Sequence, residues 1–154
     1  METKKNLTTE EAVVIYRALG AAKLGKMADG AKFKVIRILR VLKPLAAAYD
    51  DFLKDASERL RPAGAEAIAM KQERGEALTD AERAAAEKYS RDVEACVSTE
   101  LKRGNELSFE GLTEEELTGL AAANDGWTAG QLMMLADALG AESAPDTAEE
   151  GAAR

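Results

Sequence analysis

The chain has 154 residues with 28 acidic against 21 basic side chains, a formal net charge of -7, no histidine, one cysteine and few aromatics. The missing histidine excludes Ser–His and Cys–His catalysis, imidazole-ligated zinc and the Glu-x-x-His motif of di-iron helical bundles. The lone cysteine excludes an internal disulfide, and no apolar run approaches the roughly 18 residues of a membrane-spanning helix.

The start, Met1-Glu2-Thr3-Lys4-Lys5, is polar and lacks the apolar core of a signal peptide, so a cytosolic protein of one domain, or one domain with a small appendage, is expected. Thr8-Thr9-Glu10-Glu11 has capping-box spacing, and Ala12, Ile15, Tyr16, Leu19 and Ala22 recur on one face, which predicts a helix from Thr9 to about Met27. Gly20 and Gly25 weaken its second half.

Asp29-Gly30 turns the chain into its most patterned stretch. Val35, Leu39, Leu42, Ala46, Tyr49, Leu53, Ala56 and Leu60 are spaced alternately four and three apart, the heptad signature of a helix that packs on other helices. A helix over Ala31–Leu60 would measure roughly 45 Å. Ile38, Leu45 and Phe52 widen the stripe, so more than one partner helix is needed, within one chain or across a homodimer. Pro44 falls on the solvent side of the heptad, where a proline kinks a helix without breaking its seam.

Residues 61–78 read as a connection with a short helix near Ala65–Glu73. Thr79-Asp80-Ala81-Glu82 opens a helix to about Leu101, with Ala85, Tyr89, Val93, Cys96 and Val97 inward, expected to fold back antiparallel on the long helix. Glu106-Leu107-Ser108-Phe109-Glu110 alternates, as an extended segment that tucks Leu107 and Phe109 inward does. Helices capped by Thr113 and Thr128 run to about Ala123 and Leu139, and the last fifteen residues lack any large apolar side chain. The expected organisation is all-α: a kinked long-helix hairpin or bundle over 1–104, a small acidic two-helix unit over 105–140 packed on it, and a disordered tail over 141–154.

Charge is distributed unevenly: residues 1–43 hold ten Lys/Arg against four Asp/Glu, and residues 44–154 hold eleven against twenty-four. Lys34, Arg37, Arg40 and Lys43 recur at three-residue spacing beside the apolar seam and form the candidate interaction surface. An ordinary solvated face or intramolecular pairing with the acidic carboxy-terminal part ranks first for this stripe, a protein partner second and nucleic acid third. Thr118–Leu135 has helix-turn-helix spacing, but Thr128–Gly140 has no Lys or Arg, so phosphate repulsion argues against DNA. Asp50-Asp51 with Asp55 reads as a solvated face and Glu114-Glu115-Glu116 as first-turn acids complementing a helix dipole. The Asn124-Asp125-Gly126 turn lacks the ligands of a calcium loop. Cys96 is expected to be a small core hydrophobe and Trp127 a staple at a helix entrance. No catalytic, metal or cofactor residue is assigned.

Glu-Ala-Val-Val-Ile-Tyr-Arg-Ala-Leu, then Phe33-Lys34-Val35-Ile36-Arg37, Leu42-Lys43-Pro44 and Tyr49, and later Glu106-Leu107-Ser108-Phe109-Glu110-Gly111-Leu112, follow one another in an order that resembles a group of small uncharacterised phage and prophage proteins, over most of residues 7–139. The resemblance implies a phage-related origin and brings no catalytic residues with it. The expected function is non-enzymatic, through protein–protein contacts in assembly, adaptor or inhibitory work, with nucleic-acid association by the basic face as the alternative.

Overall fold

The computed structural model describes residues 2–141, and all but the first residue of the tail expected over 141–154 lies outside them. Among the described residues the chain is mostly helical, with six helices and one two-stranded sheet: β1 Glu2–Thr8, α1 Thr9–Gly20, α2 Asp29–Arg59, α3 Ala65–Arg74, α4 Asp80–Leu101, β2 Gly104–Glu110, α5 Glu114–Ala123 and α6 Ala129–Leu139. No helix among the described residues is long and apolar enough to cross a membrane.

The mostly helical fold agrees with the expected helical class, and one small two-stranded sheet is added to it. β1 pairs antiparallel with β2, Thr3 opposite Phe109 and Leu7 opposite Asn105. Glu-Thr-Lys-Lys-Asn-Leu-Thr carries a single large apolar residue, so its alternation is hidden in the sequence, yet Thr3 and Leu7 are buried. Thr8 ends the strand and caps α1 at once, its hydroxyl accepting from the Glu11 amide. The Asn105 side-chain amide donates to the Leu7 carbonyl and the Thr9 hydroxyl, fastening that junction.

The described residues divide into two compact units, one formed by 2–46 with 104–141 and the other by 47–103. The cuts fall after Ala46 and after Arg103. In the first unit, Ala12, Ile15 and Leu19 of α1, Val35, Ile38 and Leu42 of α2, Phe109, Leu112, Leu120, Leu135 and Leu139 form one buried cluster. The acidic two-helix segment therefore shares a core with the amino-terminal helices, because its apolar residues supply the other half of that core.

α1 stops at Gly20, about two turns short of the expected end, and residues 21–28 form a loop whose Met27 turns back into the core. Asn124 holds the loop like a second backbone: its Oδ1 accepts from the Lys23 amide at 2.9 Å, and its Nδ2 donates to the carbonyls of Lys23 and Leu120, each at 2.8 Å. Gly119 permits this close approach, since a Cβ there would sit 2.9 Å from the Lys26 carbonyl oxygen. The α5–α6 layer closes on itself where the Leu112 amide donates to Leu139 and the Ala141 amide to Leu112.

In the second unit, the carboxy-terminal part of α2, α3 and α4 bury only Tyr49, Ala56 and Ile68 among their apolar side chains. α3 lies between Gly64 and Gly75, both left-handed at φ 80° and 71°. The expected inward residues of α4, Ala85, Tyr89, Val93, Cys96 and Val97, are half-buried. Lys71 reaches Glu82 at 2.8 Å and so ties α3 to the first turn of α4.

Candidate interaction surface

Lys34, Arg37, Arg40 and Lys43 all lie on α2, in the part belonging to the first unit, but the fold divides them into two pairs. The first pair meets carboxylates. Lys34 Nζ lies 3.0 Å from Glu116 Oε1 and 3.5 Å from Glu110 Oε2, and Arg37 approaches the other Glu110 oxygen at 3.5 Å. Local sequence positions each acid: Glu110 ends β2, and Glu116 is the N3 residue of the capping box, accepting from the Thr113 amide at 2.8 Å.

Lys34 and Glu116 are largely covered, with 16% and 20% of their side chains exposed. The hydrogen bond to Glu116 holds Lys34 above its ordinary pKa against the opposing pull of burial, and the Glu110 charge adds to it. Burial disfavours the charged form of Glu116, but the Thr113 amide and Lys34 outweigh it and set its pKa below the ordinary carboxylate value. Glu110 is lowered in the same way, Lys34 and Arg37 overcoming desolvation. This half of the stripe is an internal clamp from α2 to β2 and α5.

Arg40 and Lys43 have no carboxylate partner among the described residues. They border a groove of about 260 Å³ between α1 and α2, lined by Tyr16, Arg17, Gly20, Ile36 and Leu39. Phe33, one turn earlier on the same face as Ile36 and Arg40, is 58% exposed. The groove could not be read from the sequence, where Tyr16, Ile36 and Leu39 look like ordinary core positions. Phe33 carried a readable signal, an aromatic residue off the heptad seam between Lys32 and Lys34.

The other candidates have structural settings. Cys96 is half-buried instead of core, with the Arg59 guanidinium donating to its sulfur at 3.8 Å. Trp127 packs against the core just before the capping Thr128 and lines a shallow cleft with Leu132, its N4 neighbour, as a staple does. Among the described residues no group of three or more Cys, Asp or Glu is placed to hold a metal ion, and Asn124 serves the loop clamp.

The arrangement defines a mostly helical protein whose α1–α2 face combines a charge clamp with a cation-bordered apolar groove. No protein-family model, no curated protein and no solved structure matches the chain.

Proposed function

We propose that this is a non-enzymatic, cytosolic binding protein that works through protein–protein contacts made by the α1–α2 face, in an assembly, adaptor or inhibitory role of the kind the phage and prophage resemblance implies. One observation carries the reading: Phe33 is exposed on the α2 face that also carries Ile36 and Arg40, and farther along that helix an apolar groove is bordered by two cations without carboxylate partners among the described residues. Exposed aromatic and arginine side chains around an apolar pocket have the composition of an interface hot spot. The second unit fits the same reading, because helices that bury so little leave Met70, 49% exposed, and the half-buried α4 face as additional contact area.

Two finer features of the architecture belong to this proposal. α4 returns antiparallel along the second part of α2, supported by the Tyr89 hydroxyl donating to the Ser57 carbonyl at 2.9 Å. α2 bends at Pro44, supported by the interior position of a residue that cannot donate to carbonyl 40.

The test uses the full chain and an F33S/R40E double variant as baits in extracts of the source cells, with quantitative mass spectrometry of what each retains. A protein held by the wild type and lost from the variant is the expected result; identical sets on both baits overturn the reading. The nucleic-acid alternative is favoured by Phe33 beside Arg40 and Lys43, since an aromatic among cations can stack a base. It is weakened because Lys34 and Arg37 are already neutralised. It predicts retention on a phosphate-bearing matrix that disappears in moderate salt and with Lys34, Arg37 and Arg40 changed to Glu.

A further inference from the structure

Building on that reading, we propose that the groove between α1 and α2 takes an acidic amphipathic helix of a partner protein, its apolar side chains against Tyr16, Ile36 and Leu39 and its carboxylates on Arg40 and Lys43. The chain supplies the pattern for this itself. At the amino-terminal end of the same α2 stripe, Lys34 is met by Glu116 from the first turn of α5, an acidic amphipathic helix that buries Leu120 in the core. The stripe then continues for two more cations, now beside an open groove and with no carboxylate opposite among the described residues. Charge complementarity selects an acidic occupant, and the lining selects one that brings an apolar face.

A phosphate backbone is the poorer fit. It would meet the Arg40–Lys43 end of a stripe whose other two cations already carry carboxylates, and it has nothing to place on Tyr16 and Leu39. Gly20 offers a clean way to close the site. It ends α1 on the groove wall, and a Cβ built there meets nothing within 4 Å, so a large side chain at this lining position is accommodated without displacing backbone.

The probe is an end-blocked Ala-based peptide of about 18 residues, long enough to be helical in water, with leucines four apart and glutamates one turn to either side. It is titrated into the full chain by amide NMR, with fluorescence anisotropy for affinity; a matched peptide with lysine for glutamate and a single-stranded oligonucleotide are run alongside. The acidic peptide is expected to bind, to shift amides of Tyr16, Gly20, Ile36 and Leu39, and to weaken as salt rises. R40E/K43E is expected to weaken it at least about tenfold. Gly20→Leu is expected to remove binding while the rest of the spectrum is retained, and an R91E control in α4 to leave it unchanged.

Absence of binding by a folded wild-type chain overturns the proposal, as does binding that survives both Gly20→Leu and the charge reversal. If the partner recovered in cell extracts is still held by Gly20→Leu and is not displaced by the peptide, the acidic-helix assignment fails and the protein-binding reading stands. If only the oligonucleotide binds, both fail.

Discussion

Replacing Lys34 by Met keeps the apolar stem that packs along α2 and deletes the ammonium that Glu116 meets at 3.0 Å. A hydrogen bond between charged partners contributes about 1.5–3 kcal/mol when covered. This pair keeps 16% and 20% of its side chains in solvent, so the lower end of that range, about 1.5 kcal/mol, is expected. The Thr113 amide still satisfies part of the Glu116 carboxylate, which argues against a larger loss. Trp127, the chain's one tryptophan, packs on the core of the first unit, so its fluorescence during urea unfolding reports the relevant transition.

The pH dependence follows from the two shifted groups. Glu116 titrates in the folded chain below the ordinary carboxylate value of 4.5, so its contribution is complete above that value and is lost as pH falls through the lowered one. Lys34 titrates above 10.5, so its contribution is complete below that pH and is lost as pH rises through the raised value. The gap between wild type and Lys34→Met is therefore expected to be flat between these limits and to close at both ends. A gap at pH 7 under about 0.5 kcal/mol, or one that persists unchanged after Glu116 is protonated, refutes the clamp.

Asn124→Ala removes three hydrogen bonds to the backbone at Lys23 and Leu120 and is expected to cost about 2 kcal/mol and to speed hydrogen exchange of the Lys23 amide; unchanged exchange would show that the loop holds itself. Gly119→Ala forces a Cβ to 2.9 Å from the Lys26 carbonyl and is expected to lower the thermal midpoint, a neutral result meaning that residues 21–28 yield freely. Pro44→Ala restores a donor to an exposed position of a continuous helix and is expected to raise stability by roughly 1 kcal/mol or more, measured by urea unfolding followed by circular dichroism; a loss would mean that the proline conformation is required.

Local signals in the sequence were read accurately. Thr8 with Glu11, Thr79 with Glu82, Thr113 with Glu116 and Thr128 with Gln131 all form capping boxes, because donor and acceptor lie three residues apart and need nothing else from the fold. The long helix spans Asp29–Arg59 against an expected Ala31–Leu60, with Val35, Leu42, Ala46, Tyr49 and Ala56 of its seam buried. Failures began where a partner lay far along the chain. β1 looks like a polar leader until Phe109 stands opposite Thr3. The helices at 114–139 read as a small unit packed on the bundle, and which of their residues enter the core, Leu120, Leu135 and Leu139 beside those of α1 and α2, appears only in the fold. The charge stripe showed the same limit: its spacing was legible, but its division into a clamped pair and a groove-facing pair depends on where β2 and α5 arrive.

The pairing of β1 with β2 also sets an order of events during synthesis. The strand made first has as its partners residues 104–110, so it waits unpaired while about a hundred residues are added, roughly 5–20 s at ribosomal speeds. The core of the first unit waits longer still, because Leu135 and Leu139 come from α6. The segment 47–103, whose contacts are nearer in sequence, is complete before either, so the nascent chain carries a finished helical insert between two unfinished halves of one core. During that interval Ile15, Leu19, Val35 and Ile38 lack the part of their core that Phe109, Leu120, Leu135 and Leu139 supply, and apolar surface exposed in this way is prone to aggregation.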